Sequence, residues 1–155
     1  MPSDWVRIRR LEASDANAFF NAVRANHAHL AKWLDTPYRI TSDDAAALAI
    51  GDPNTVRFGA FHRGDLKGSL KLMTRPPAEM GIWVTADAEG RGVGLLLALA
   101  ALEFASRSSL GPILFCADRD NEASLRLRER VARSACSVRV EDRGREQCWH
   151  LSLRA

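Results

Sequence analysis

Apolar and polar residues alternate through Trp5-Val6-Arg7-Ile8-Arg9, the period of a strand with one buried face, and predict a first β-strand ending before Glu12-Ala13-Ser14-Asp15. Ser14 is a candidate helix cap there. Helical spacing takes over next. Ala16 to Ala25 and Asn26 to Leu34 read as two short helices, and Ser42-Asp43-Asp44 caps a third that runs through Ile50. Val56 to His62 and Leu66 to Met73 form a hairpin around Arg63-Gly64-Asp65. The loop Thr74-Arg75-Pro76-Pro77 interrupts pairing before a strand from Met80 to Thr85.

Leu95 to Leu102 is apolar on every side and predicts a buried helix, far short of the roughly 20 residues that span a bilayer. Ile113 to Ala117 is a short apolar run typical of a strand covered on both faces, reached by a parallel crossover. A further helix begins at Asn121-Glu122-Ala123-Ser124. Two final strands, Cys136 to Val140 and Gln147 to Leu153, flank Asp142-Arg143-Gly144-Arg145. The succession predicts an α/β fold with a mixed sheet, and the length of 155 residues predicts a single domain over 1–155.

Composition narrows the class. Hydrophobic residues make up 46% and charged residues 26%, the balance of an ordinary globular protein. The net charge of +3 comes from arginines scattered between Arg7 and Arg154, so neither nucleic acid nor a membrane is expected as a partner. Cys116, Cys136 and Cys148 are odd in number and lack Cys-x-x-Cys spacing. They read as reduced thiols without a metal site, and with no signal-peptide pattern after Met1 they place the protein in the cytoplasm.

The most informative stretch is Asp87-Ala88-Glu89-Gly90-Arg91-Gly92-Val93-Gly94, which joins the strand at Met80-Gly81-Ile82-Trp83-Val84 to the apolar helix. Glycine lets backbone approach a ligand closely, and the first turn of a helix presents unpaired N–H groups at its positive end. Such a place suits a pyrophosphate. Arg91 adds a permanent positive charge, whereas Glu89 brings a negative one. A Rossmann turn needs Gly-x-Gly-x-x-Gly with a later acid, and a P-loop ends in Gly-Lys-Ser/Thr; neither is present.

The pattern resembles the acetyl-coenzyme A pyrophosphate loop of the GNAT N-acetyltransferase superfamily, Gln/Arg-x-x-Gly-x-Gly/Ala, read here from Glu89 to Gly94. Other blocks are similar to the RimJ/RimL branch: Leu11 to Ala16, Asn26 to Leu34, Ala78 to Val84, and Asn121 to Ser124. The resemblance covers nearly the whole chain. It implies the GNAT fold, a mixed and mostly antiparallel sheet of about seven strands whose central strands splay, which a bulge near Gly81 would assist. It implies acetyl-coenzyme A as cofactor, a protein N-terminal α-amine or small amine as acceptor, and a homodimer by analogy.

It also assigns residues. Backbone groups of Trp83 and Val84 hold the pantetheine arm, and those of Glu89, Gly90, Arg91, Gly92, Val93 and Gly94 cradle the pyrophosphate. Asn121 caps its helix and touches the arm. Ser124 either returns a proton to the thiolate or is an ordinary first-turn residue. Glu79 is either the general base or a solvated residue after the prolines. An α-amine of pKa about 8 is roughly a tenth neutral near pH 7, against on the order of 0.04% for lysine, so it needs little help from a base. His27 and His29 read as surface or rim histidines, and Trp33 either walls the acceptor groove or packs.

Some positions depart from the branch. Glu89 stands for Gln or Arg, Ile82 for Tyr, and Val131-Ala132-Arg133 for Leu-Gly-Phe. These departures motivate an alternative, a degenerate acyl-coenzyme A sensor or interaction module without catalysis.

Overall fold

The computed structural model describes residues 4–133 and 137–152. Its strands are β1 (Arg7–Arg10), β2 (Thr55–His62), β3 (Asp65–Met73), β4 (Ala78–Val84), β5 (Ile113–Asp118), β6 (Ser137–Arg143) and β7 (Glu146–Ser152). Its helices are α1 (Ala16–Ala25), α2 (His27–Ala31), α3 (Thr36–Arg39), α4 (Asp43–Ile50), α5 (Val93–Arg107) and α6 (Glu122–Ala132). The strands form one seven-stranded sheet in the order β1-β2-β3-β4-β5-β7-β6. Among the described strands only β4 and β5 run parallel.

The alternation of side chains along the strands decides which helices cover each face. Leu70 and Leu72 of β3, with Ala78 and Met80 of β4, meet Val93, Leu97, Ala98, Ala101, Leu102 and Ala105 of α5. Those α5 positions form one helical stripe. The helix therefore buries one side although its sequence is apolar nearly all round, and Leu95, Leu96, Leu99 and Ala100 stay half-buried. On the opposite face Trp83 and Leu66 join Phe19 and Val23 of α1, Leu30 of α2 and Ala46 of α4 in a second core. Each large side chain removed from water contributes about 1.5–3 kcal/mol, which fixes the helices on their respective faces.

The start of the first helix differs from the Ser14 expectation. Ala13–Asp15 make a 3-10 turn, and Asp15 closes it by accepting the Glu12 N–H at 2.7 Å. Its carboxylate also accepts from Arg9 Nη1 and Nη2 at 2.8 and 2.9 Å. Those Arg9 bonds hold the Asp15 pKa below its ordinary value against the opposing effect of burial. The resulting stability is present above the unfolded carboxylate pKa of about 3.9 and is lost as pH falls below it. Asp15→Asn is expected to destabilise the fold by about 1–3 kcal/mol at pH 7. Urea titrations at pH 7 and pH 3 check this: the gap between variant and wild type should shrink at the lower pH.

The helix predicted from Asn26 to Leu34 is also shorter. α2 ends at Ala31, its last turn closed by the Trp33 and Leu34 N–H groups on the Leu30 carbonyl, and α3 starts separately with Pro37 in its first turn. Ser42 does cap α4, its Oγ accepting from Ala45 N at 3.0 Å.

Two further expectations are corrected. Cys116 of β5 and Cys148 of β7 lie directly opposite each other, with Cα atoms 4.0 Å apart, and are joined by a disulfide. A separation of 32 residues hides this pair from the sequence, because only the β5–β7 register brings it together. The bridge takes away the ground for a set of reduced thiols, and with it the cysteine argument for a cytoplasmic compartment. Cys136 lies outside the described residues. Nor is there a bulge at Gly81: β3 and β4 stay in register from Gly68↔Val84 to Met73↔Glu79, and the shift falls at Ala60/Phe61. Among the described residues no helix is long and apolar enough to cross a membrane.

Candidate active site

The parallel pair β4–β5 holds together only through Ala78↔Ile113, Glu79↔Leu114 and Met80↔Phe115. Beyond Met80, β4 continues beside β3 while β5 continues beside β7, so the sheet forks. The divergence, not a bulge, makes the expected splay. From Gly81 to Val84 the edge of β4 that faced β5 has no strand partner, and its backbone groups need another source of hydrogen bonds. A cleft of about 580 Å³ opens there between β4, the segment from His29 to Leu34, the glycine loop and α6.

The loop approaches the cleft through two left-handed residues. Gly90 and Gly92 have φ of 77° and 79°, a conformation costing other residues roughly 1–2 kcal/mol. Gly92 is the N-cap of α5, and its carbonyl accepts the Leu96 N–H at 3.2 Å. The N–H groups of Val93, Gly94 and Leu95 therefore precede the first intrahelical bond. All three residues line the cleft, with Glu89, Gly90 and Gly92. Gly94 serves a different need: a Cβ there would sit 2.9 Å from Leu127 Cδ2, so the glycine lets α6 pack against α5.

Arg91 does not contribute its charge. Its Nε donates to the Asp87 carbonyl at 3.2 Å and its guanidinium lies 4.2 Å over the Trp5 ring, away from the cleft wall. The cations on that wall are Lys32, Arg126 and Arg130, which the sequence reading missed. The i, i+4 spacing of Arg126 and Arg130 is the signal that places both on one side of α6. Glu89 lines the cleft, and its Oε1 lies 3.2 Å from His29 Nε2. That nitrogen is also 3.1 Å from the Val84 carbonyl. Both neighbours are acceptors, so Nε2 carries the proton and His29 ties the rim to β4 while engaging the Glu89 charge.

The remaining predicted residues divide. Asn121 and Ser124 share the cleft wall at the start of α6, where Asn121 Oδ1 accepts the Ser124 N–H at 3.2 Å. The Ser124 hydroxyl makes no hydrogen bond among the described residues, leaving its proton and lone pairs available. Trp83 sends its ring into the core, edge-on to Phe19 at 5.8 Å, and offers the cleft its backbone. Trp33, 47% exposed, stands on the cleft wall and not in the core. Glu79 lines neither this cleft nor the cavity beside it, because it belongs to the part of β4 still paired with β5. Glu79 therefore stands apart from both compartments.

That second cavity, of about 380 Å³, shares Leu34, Ile82 and Trp83 with the cleft and extends across β4 toward β3, β2 and α3. Two compartments meeting at Ile82 and Trp83 allow two ligands to approach one point from opposite sides.

A forked sheet with a glycine-started helix at the mouth of the fork defines a class, and the comparisons agree with it. The model of the acetyltransferase (GNAT) domain family matches residues 6–132, and the chain belongs to that family. It is 26% identical to a Bacillus subtilis (strain 168) protein named as a candidate ribosomal N-acetyltransferase, YdaF, over 83% of this chain and 78% of that one. The fold matches ribosomal-protein-S5-alanine acetyltransferase from Vibrio fischeri with a TM-score of 0.77 at 14% identity, covering 96% and 93% of the two chains. It also matches PaiA N-acetyltransferase from Thermoplasma acidophilum in complex with coenzyme A, with a TM-score of 0.75 at 17% identity over 95% and 98%.

Proposed function

We propose that this acetyltransferase transfers an acetyl group from acetyl-coenzyme A to a primary amine by direct attack within a ternary complex. The carrying observation is the fork. It leaves a β4 edge without a strand partner beside a cleft that also holds an unsatisfied helix start and a free serine hydroxyl, the groups that a pantetheine arm, a pyrophosphate and a thiolate respectively require. When bound, the coenzyme supplies an acyl group activated as a thioester.

The chain's own residues divide the remaining work. Backbone N–H groups of Val93, Gly94 and Leu95 receive the pyrophosphate, with Arg126 and Arg130 adding charge from α6. The C–N bond forms as the C–S bond breaks; Ser124 Oγ gives its proton to the leaving sulfur, a role that Ile82 in place of a tyrosine leaves to it, and regains one through water from the nitrogen that has attacked. The acceptor reaches the meeting point at Ile82 and Trp83 from the second cavity. We assign no proton transfer to Glu79. An α-amine with pKa about 8 supplies enough neutral nucleophile at pH 7 to react without a dedicated base. The ribosomal-protein acceptors in the names of the similar proteins support an N-terminal α-amine.

Isothermal titration with acetyl-coenzyme A, followed in the same sample by thiol release against peptides and small amines, tests this reading. Saturable binding with acceptor-dependent release is expected. Binding without release from any acceptor supports the sensor alternative, and absence of binding overturns the cleft assignment.

A further inference from the structure

The second cavity carries charges that the fold does not neutralise. Arg57 of β2, Lys71 of β3 and Gly81 of β4 are paired in one row across three adjacent strands, Arg57↔Lys71 and Lys71↔Gly81. All three line the cavity. Two cations directly opposite on an antiparallel pair repel each other, an arrangement that destabilises a sheet. The third member of the row has no side chain, and a Cβ added at Gly81 would meet nothing within 4 Å. The row thus holds two like charges beside an open space.

The surrounding carboxylates leave the pair uncompensated. Asp35 also lines the cavity but is engaged by Arg39 Nε at 2.7 Å. Asp52 acts on both cations only at a distance, and neither Arg57 nor Lys71 forms an ion pair with a described carboxylate. Arg57 is held in place by its Nε bond to the Ala49 carbonyl at 3.3 Å and by the Phe19 ring 5.4 Å away. Burial lowers the pKa of Lys71, and Arg57 and Arg39 lower it further; Asp52 and Asp35 offset this only in part, and a bound anion would act in the same direction as those carboxylates.

Resting on the acetyl-transfer reading, we infer that Arg57 and Lys71 form an anion subsite and that the acceptor is a primary amine carrying a carboxylate or phosphate near the reacting nitrogen. Strand spacing sets the reach. Lys71 and Arg57 stand one and two strands from β4, roughly 5–10 Å away, the distance to the second or third residue of an extended peptide. A peptide N-terminus with an early acidic residue fits, as does a small amino acid, whereas a polyamine would place cation against cation.

The test uses a hexapeptide with Glu at positions two and three, its Gln counterpart and its Lys counterpart, in acetyl transfer by the whole protein. The expected kcat/KM ratio of Glu to Gln peptide is about tenfold to a hundredfold at low salt, falling with ionic strength. Lys71→Met, which keeps the aliphatic stem, should bring the ratio toward one, and Lys71→Glu should favour the Lys peptide. Thermal unfolding of both variants confirms the fold. A wild-type ratio near one, or a ratio unmoved by Lys71→Met, overturns the subsite. β-Alanine compared with propylamine separates a small acceptor from a peptide, since a carboxylate preference confined to one of them names the source. If no amine is turned over, the transfer reading fails. Titration of the coenzyme A-loaded protein with the Glu and Gln peptides then judges the subsite alone, and equal affinities overturn it.

Discussion

Gly92→Val is expected to weaken acetyl-coenzyme A binding by about a hundredfold or more while leaving the protein folded. Two effects combine. Gly92 has φ of 79°, where a β-branched residue is strained by about 1–3 kcal/mol, and relief of that strain rotates the peptide leading into α5. Rotation there redirects the N–H groups of Val93 and Gly94, each of which, in the proposed cradle, would make a charge-assisted bond to the pyrophosphate worth about 1.5–3 kcal/mol. The Gly92 carbonyl also accepts the first bond of α5, so the helix start itself shifts. Titration calorimetry gives the affinity, and circular dichroism with urea unfolding establishes that the variant is native. Unchanged affinity in a folded variant would remove the proposed cradle. Gly94→Trp should fail for another reason, because its side chain runs into Leu127 and separates α6 from α5. It should therefore lose stability together with binding.

Ser124→Ala is expected to lower kcat by about 10²-fold or more with the coenzyme dissociation constant changed by less than about threefold. The substitution is well isolated. The cap of α6 uses the Ser124 backbone N–H and the Asn121 side chain, so the helix start survives loss of the hydroxyl. No described residue loses a hydrogen bond with it. Single-turnover kinetics would place the defect in the chemical step, and Ser124→Thr, which restores a hydroxyl, should recover part of the rate. An unaltered kcat would take the proton transfer away from Ser124. Asn121→Ala differs in kind: it should cost about 0.5–2 kcal/mol of stability through the lost cap as well as impair turnover.

Much of this was legible in the residues, and the exceptions share a cause. The strand alternation around Arg7-Ile8-Arg9, the hairpin at Arg63-Gly64, the helix after Gly94 and the Asn121 cap all follow from interactions within a few residues. Local chemistry reveals itself locally. Ser14 was displaced as a cap because Asp15 has a partner in Arg9 on β1. Arg91 looked poised for phosphate from its place in the loop. Its destination was set by the Trp5 ring, far away in the chain.

The sequence by itself determined the order of the strands and of the longer helices, the glycine-rich start of α5 and the serine and asparagine at the start of α6, since each depends on backbone preference or spacing inside one element. Only the tertiary structure decided what those elements face. The parting of β4 from β5 after Met80 opened the cleft and left Glu79 on its closed side. The register of β5 with β7 joined Cys116 to Cys148, and that of β2, β3 and β4 set Arg57 beside Lys71 at the empty side of Gly81. Register is fixed by the packing of both sheet faces at once, and a one-residue slip would reverse every side chain in a strand. No short stretch of sequence contains that information.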